Sequence, residues 1–177
     1  VINYDYGYVH KIKNFKFKKK VFEAVKYLNE NNYLVIIVTN QSGISKDYLS
    51  WNDYEKVTEQ LLSLLGTPNP ITAIYANSYT SSIPEDNWRK PNPNMILKAA
   101  EDFNIDINYS IIIGDRLSDL EAGKRAGIKK FVHVLTGHGY KERKVIIEKF
   151  YYYNLILLNN LTFFPHKDLL FKAYKFS

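Results

Sequence analysis

The stretch Ile111–Asp119, Ile-Ile-Ile-Gly-Asp-Arg-Leu-Ser-Asp, constrains the fold more than any other part of the chain. Its three consecutive isoleucines lack period-two alternation, which predicts a strand covered on both faces, as in a parallel sheet flanked by helices. Ser118 and Glu121 form a capping-box pattern for a following helix that ends near Gly127. Ligands of open α/β sheets bind beyond the carboxyl ends of the strands, so Asp115 is placed to handle a metal ion or a phosphate.

The rest of the chain alternates predicted strands with predicted helices. The strands are predicted at Tyr33–Val38, Ile71–Ala76 and Lys130–Leu135, in addition to the isoleucine strand. Helices are predicted at Lys19–Asn31, around Met95–Phe103 and after Asp115. A further helix is predicted to begin at a cap formed by Ser50, with Asp53 three residues later. Weaker patterns suggest a helix at Val145–Phe150, a strand at Leu155–Leu158 and a helix at His166–Tyr174. This alternation predicts a doubly wound, Rossmann-like α/β domain with a mainly parallel sheet.

Composition limits the class of protein. At 177 residues the chain has the length of a single domain, in which residues 138–177 form a C-terminal extension with weaker patterns. It has no run of about 18 apolar residues and no signal-peptide pattern, so we expect a cytoplasmic monomer without a membrane partner. The absence of cysteine excludes thiolate zinc ligands and a cysteine nucleophile within these residues. The net charge of +6 comes from scattered lysines, which suit a phosphorylated small molecule, and no nucleic-acid partner is expected.

Three polar clusters follow separate stretches of the chain and are chemically complementary. They are Thr39–Ser42, Arg89-Lys90 and Asp115-Arg116. A hydroxyl and turn amides bind phosphate oxygens, cations neutralise their charge, and a carboxylate holds a hard cation such as Mg²⁺. Each cluster also has a plain interpretation, as a turn, as solvated charge or as the residue leading into a helix. Their joint occurrence favours phosphoryl-transfer chemistry.

The same clusters resemble the sequence motifs of a known family. Thr39–Gly43, Arg89–Pro93 and Gly114–Asp119 are similar, in this order, to motifs two, three and four of the haloacid dehalogenase (HAD) phosphatases. Further matches point to the D-glycero-D-manno-heptose 1,7-bisphosphate phosphatase and histidinol-phosphatase branch. These matches are Ile2–His10, Ala122-Gly123 with Ala126-Gly127, and Thr136-Gly137. The resemblance covers roughly residues 1 to 137.

The resemblance implies specific roles and a function. Thr39 would hold the transferred phosphoryl group, Lys90 would neutralise it together with the nucleophile, and Asp115 would ligate Mg²⁺. The substrate site would be lined by Asp5, Tyr6, Gly7, Tyr8, Asn40, Gln41, Ser42, Arg89 and Arg116. The implied protein is a Mg²⁺-dependent phosphatase that acts through an aspartyl-phosphate on a small phosphorylated metabolite. A heptose bisphosphate is the first candidate substrate and histidinol phosphate the second.

The first motif of that family is missing from the chain. It is a strand ending in Asp-x-Asp-Gly, directly before the segment that begins here at Val1, and it carries the nucleophile and the acid–base aspartate. In the family this strand lies mid-sheet, between those predicted at 33–38 and 110–114, and its absence would leave two strand edges unpaired. We therefore expect an N-terminally incomplete phosphatase. The alternatives are a non-catalytic relative that binds a sugar phosphate, and an enzyme that processes nucleic-acid ends.

Two groups of potential metal ligands or catalysts are given no role. Zinc-binding relatives place cysteines and a histidine in the loop before Arg-Lys-Pro, and this chain has Asn77, Tyr79, Asp86 and Trp88 at the matching places. Those side chains do not make a tetrahedral zinc site, so no zinc is expected. His133, His138 and His166 are expected to be surface or packing residues.

Overall fold

The computed structural model describes residues 19–81, 84 and 87–159, in which parallel strands alternate with helices. The helices are Lys19–Glu30 (α1), Trp51–Leu65 (α2), Asn94–Asp102 (α3), Leu117–Ala126 (α4) and Gly139–Lys149 (α5), with a 3₁₀ helix at Ile107–Tyr109. The strands are Ile36–Asn40 (β1), Ala73–Asn77 (β2), Ile111–Gly114 (β3), Lys130–Val134 (β4) and Asn154–Leu158 (β5). Among these described helices, none is both long and apolar enough to cross a bilayer. The order confirms the predicted α/β class.

The strands form two parallel sheets. β1 pairs with β2, and β3, β4 and β5 pair in that order, with every pair parallel. Within the described ranges no ladder joins β1 to β3. This is the position at which the family resemblance places the strand of the first motif. The facing edges of β1 and β3 therefore border the space in which the candidate site lies.

Apolar clusters cover β3 on both faces, as the isoleucine run predicted. Ile111 and Ile113 pack against a buried cluster that includes residues of α1, α2 and β4. Ile112 points the other way, into a second cluster with Leu120 of α4 and Ile146 of α5. Because the first cluster contains residues from both sheets, it joins the two halves of the fold through apolar packing.

One predicted helix cap is correct and the other is wrong. At α2 the Ser50 hydroxyl accepts a hydrogen bond from the Asp53 N–H at 3.1 Å, and the Asp53 carboxylate accepts one from the Ser50 N–H at 2.9 Å. At α4 the helix begins at Leu117, so the N-cap residue is Arg116 and Ser118 lies inside the first turn. The reciprocal carboxylate is Asp119, which accepts from the Arg116 N–H at 3.1 Å. Gly127 ends α4 in the left-handed conformation, as predicted.

Several predicted element boundaries are also shifted. The first strand begins at Ile36 rather than Tyr33 and continues through Thr39 and Asn40, because Thr39 and Asn40 pair in register with β2. α5 begins at Gly139 rather than Val145, before its apolar residues start. The helix predicted at 166–174 lies outside the described residues.

Gly123 sets the distance between α4 and β3, and this generates a stability prediction. A Cβ at position 123 would lie 2.7 Å from Ile112 Cγ2, which is too close for packed carbon atoms. We expect Gly123→Ala to lower the free energy of unfolding by about 1–3 kcal/mol despite the better helix propensity of alanine. Urea denaturation measures this. In the double variant with Ile112→Ala the loss should be smaller than the sum of the two single losses, whereas additive losses would contradict the contact.

Candidate functional site

A cavity of about 1680 Å³ is lined by residues of both sheets. Its apolar wall includes Ile36–Val38 of β1 and Ile111–Ile113 of β3. The polar lining includes Thr39, Asn40, Gln41, Ser42, Arg89, Lys90, Asp115, Arg116, Ser118, Asp119 and His138. All three polar clusters of the sequence therefore face one cavity, although their roles stay predictions. The predicted substrate residues Asp5, Tyr6, Gly7 and Tyr8 lie outside the described residues.

Lys90 forms a largely buried ion pair at the centre of this polar lining. Its Nζ lies 2.7 Å from Asp119 Oδ1, and both side chains are 11% exposed. The same ammonium donates at 2.8 Å to the carbonyl of Val38, the central residue of β1. Gly114 makes room for the partner, since a Cβ there would lie 2.4 Å from the Asp119 Cβ. The pair links β1 to the first turn of α4.

The Asp119 carboxyl is held in its charged form by these contacts. Burial by itself would raise its pKa, but the charge and hydrogen bond of Lys90 and the hydrogen bond from the Arg116 N–H bring the pKa below its ordinary value. A carboxylate with a lowered pKa stays ionised at neutral pH. Asp119 therefore keeps the Lys90 ammonium paired and oriented.

The side chain of Asn40 holds the backbone of Lys90, and that of Asn77 supports Asn40. Asn40 Oδ1 accepts from the Lys90 N–H at 3.1 Å, and Asn40 Nδ2 donates to the Lys90 carbonyl at 3.3 Å. The buried Asn77 donates to Asn40 Oδ1 at 2.8 Å and to the Trp88 carbonyl at 3.1 Å. The side chain of Asn40 is thus engaged in positioning the Arg-Lys-Pro segment, while its predicted contact with substrate stays a prediction.

Hydrogen bonds also fix Thr39 in β1, Gln41 after it, and Arg89 before Lys90. Gln41 Nε2 donates to the Thr39 hydroxyl at 3.1 Å, and the Gln41 N–H donates to the Asn77 carbonyl at 2.7 Å. Arg89 Nη1 donates to the Tyr79 carbonyl at 2.6 Å. A hydroxyl that accepts one hydrogen bond can still donate its own proton, so Thr39 can donate to an anion in the cavity.

Asp115 is oriented by the segment that follows β4. Its Oδ2 accepts from the His138 N–H at 2.7 Å. Gly137 precedes that contact with a positive φ of 64°, and a Cβ there would lie 2.2 Å from Asp115 Oδ2. Only glycine combines this backbone conformation with this close approach. The Asp115 carboxylate is therefore held at the cavity by a second stretch of chain.

The fully buried His133 of β4 contacts the backbone of Asp115. Its Nε2 lies 3.3 Å from the Asp115 carbonyl oxygen. Burial lowers the pKa of His133, which favours a neutral ring, so Nε2 carries the proton when it donates to that carbonyl. This histidine packs beneath the site, in agreement with the expectation from the sequence.

The described residues fit a divalent cation through one carboxylate. Asp115 offers a hard oxygen ligand at the cavity, and Mg²⁺ is commonly bound by one or two carboxylates together with water and substrate phosphate. Across the part of the chain that the structure describes, no three His, Cys, Asp or Glu side chains cluster as metal ligands. Asp115 is a described residue that could hold Mg²⁺ at this cavity.

Sequence reasoning missed three residues that organise the site. Asp119 was quoted within the Gly114–Asp119 motif but received no role, although a carboxylate four residues after Asp115 is a visible signal. Asn77 lies at the end of β2, where polar residues gather in α/β sheets. His138 carried no signal beyond its position between Gly137 and Gly139.

The Lys90–Asp119 pair predicts a loss of stability in acid. A carboxyl whose folded pKa is lowered contributes stability above its unfolded pKa of about 3.9, and this contribution is lost as pH falls through the folded pKa. Asp119→Asn should cost about 3–5 kcal/mol at neutral pH, because Lys90 is left as an unpaired buried charge, and should flatten the acid limb. Urea denaturation at pH 7 and about pH 3 measures both. The exposed Asp47→Asn is the control, and an unchanged stability of the Asp119 variant would contradict the prediction.

The comparisons with known proteins agree with this geometry. The sequence model of the haloacid dehalogenase-like hydrolase family matches residues 3–133. The chain is 34% identical over 173 residues to a D-glycero-alpha-D-manno-heptose-1,7-bisphosphate 7-phosphatase of Photorhabdus laumondii, covering 91% of this chain and 87% of that protein. It is 39% identical over 142 residues to a D-glycero-beta-D-manno-heptose-1,7-bisphosphate 7-phosphatase of Haemophilus influenzae, covering 77% of each.

A solved structure shares the fold. It is the D,D-heptose 1,7-bisphosphate phosphatase of B. bronchiseptica complexed with magnesium and phosphate, with a TM-score of 0.80 and 23% identity. The match covers 97% of this chain and 94% of that chain. The family model and the two relatives together show that the chain belongs to the haloacid dehalogenase-like hydrolase family.

Proposed function

We propose that this protein is a Mg²⁺-dependent phosphatase that hydrolyses a phosphate monoester of a small metabolite. The observation that carries the proposal is the meeting of Thr39, Lys90 and Asp115 on one cavity, from three separate parts of the chain. A hydroxyl, an ammonium and a carboxylate are the groups that bind, neutralise and chelate a phosphoryl group with its cation. The relatives with 34% and 39% identity are phosphatases, which supports the same chemistry.

The geometry of Lys90 suits a phosphoryl oxygen. An ammonium has three donors, and in the described part of the chain Asp119 and the Val38 carbonyl account for two of them. The third donor can reach a phosphoryl oxygen while the other two keep the ammonium fixed. A preoriented cation needs no reorganisation as charge develops in the transition state. Thr39 would hold a second oxygen, and Asn40, Gln41, Ser42, Arg89 and Arg116 would line the remainder of the substrate site.

The metal ion would act next to Asp115. Bound Mg²⁺ supplies charge neutralisation for the phosphate oxygens. The chain's own contribution is to fix the carboxylate, through the His138 N–H and the close approach of Gly137. Magnesium in the B. bronchiseptica structure supports this assignment for a protein of the same fold.

The family resemblance assigns the nucleophile to an aspartate of the first motif, which forms an aspartyl-phosphate. The nearby carboxylates of Asp115 and Asp119 have other roles in this proposal, as the metal ligand and as the partner of Lys90. We infer that the attacking carboxylate belongs to the strand of that motif, at the edge between β1 and β3. The alternative is a protein that binds the sugar phosphate and does not turn it over.

The substrate proposal is D-glycero-D-manno-heptose 1,7-bisphosphate, with histidinol phosphate as the second candidate. The natural protein, with any residues encoded before Val1, should release phosphate from the heptose bisphosphate in the presence of Mg²⁺ and stop on addition of a chelator. A phosphate-release assay with both substrates measures this. No turnover of either substrate would contradict the phosphatase proposal. Calorimetric binding of the bisphosphate without turnover would then favour the non-catalytic alternative.

Asp115→Asn tests the metal assignment. The amide is neutral and a weaker ligand for a hard cation, so Mg²⁺-dependent activity should fall at least about 100-fold. Activity measured against increasing Mg²⁺ gives both the rate and the metal requirement. Asp47→Asn is a matched control, because Asp47 is exposed, does not line the cavity and has a positive φ that asparagine also adopts. Natural activity in the Asp115 variant would remove Asp115 from the metal site.

A further inference from the structure

The segment after β4 and the first turn of α5 contact three successive residues, Asp115, Arg116 and Leu117. The His138 N–H donates to the Asp115 carboxylate at 2.7 Å. The His138 ring contacts the guanidinium of Arg116 through Nε2. Glu142 Oε2, one turn into α5, accepts from the Leu117 N–H at 2.6 Å. The backbone and ring of His138 thus reach two adjacent residues of the candidate site.

Glycines on both sides place His138 in this position. Gly137 has a left-handed φ of 64° and leaves no room for a Cβ beside Asp115. Gly139 is equally confined, since a Cβ there would lie 1.9 Å from the Val134 carbonyl oxygen. The sequence Gly-His-Gly is therefore packed against both β4 and the Asp115 turn, and the histidine ring is carried to Arg116 by backbone that has little freedom.

The donor and the acceptor in the contact between Arg116 and His138 can be assigned. A guanidinium has only donors, so His138 Nε2 must be the acceptor. A ring that accepts at Nε2 carries its proton on Nδ1. The side-chain partner of Arg116 is consequently a ring nitrogen, in contrast to Lys90, whose partner is the Asp119 carboxylate.

We propose that His138 is a positioning residue that orients Arg116 toward an anionic group of the substrate without neutralising it. A carboxylate in its place would fix the guanidinium and also cancel its charge, while an imidazole acceptor supplies direction alone. Arg116 and His138 line the same cavity as Thr39 and Lys90. This inference rests on the proposed function and assigns to the pair the second anionic group of a doubly phosphorylated substrate.

Kinetics separate positioning from a structural role. His138→Leu removes the ring acceptor and should raise KM for the heptose bisphosphate about tenfold with kcat within about twofold, since one charge-assisted hydrogen bond is misdirected. KM for the heptose 7-phosphate, which lacks the second phosphate, should not change. His138→Gln retains an oxygen acceptor and should restore the natural KM. Equal losses with both substrates, or equal losses in the Leu and Gln variants, would overturn the proposal.

A double variant and a spectroscopic measurement test the contact itself. Arg116→Met combined with His138→Leu should be no worse than Arg116→Met alone, and additive losses would overturn the coupling. Nitrogen-15 NMR of the His138 ring should show the proton on Nδ1 in the natural protein and a change of tautomer in Arg116→Met. A proton on Nε2 in the natural protein would overturn the assignment.

A binding measurement distinguishes failure of the His138 proposal from failure of the proposed phosphatase function. If the natural protein turns over neither substrate, calorimetric titration with the heptose bisphosphate replaces the kinetic measurement. Binding about tenfold weaker in His138→Leu and natural in His138→Gln would support the positioning role without any turnover. Equal affinity in the natural protein and His138→Leu would overturn it.

Discussion

The ion pair of Lys90 and Asp119 is the interaction on which the rest of the site depends. Removing two charges from water costs several kcal/mol for each ion, and only close geometry with further hydrogen bonds offsets that cost. Those bonds are present, from Lys90 to the Val38 carbonyl and from the Arg116 N–H to Asp119. The pair therefore holds β1, the Arg-Lys-Pro segment and the start of α4 in one arrangement.

This linkage matters because the described β-structure is in two parts. β1 pairs with β2 and β3 with β4, with no ladder between β1 and β3 in the ranges that the structure describes. Other features connect the halves. They include the apolar cluster shared by α1, α2 and both sheets, and the ion pair between Lys90 and Asp119. The cluster is non-directional, so the ion pair supplies the specific orientation of one half against the other.

The sequence predicts elements well where the signal is local. The isoleucine run of β3 reports burial on both faces, and Ser50 with Asp53 reports a cap that needs only four residues. Prediction from the sequence fails where tertiary contacts determine where an element begins. α5 starts at Gly139, ahead of its apolar residues, and its early charged residues bond to distant carbonyl and amide groups. These include Glu142 with the Leu117 N–H and Arg143 with the Leu158 carbonyl. Residues held by such distant partners show no hydrophobic periodicity in the sequence, so the start of the helix cannot be predicted from it.

The site shows the same division between local and tertiary information. Thr39, Lys90 and Asp115 could be proposed from residue type and motif order, because each follows or precedes a recognisable element. The partners that fix them could not, since Asp119 and His138 are matched to Lys90 and Arg116 only by the folded geometry. Their chemistry differs in a way that bears on binding. In the proposed function, an anion at Lys90 would meet a cation paired with a carboxylate, whereas an anion at Arg116 would meet a cation whose side-chain partner is an imidazole nitrogen.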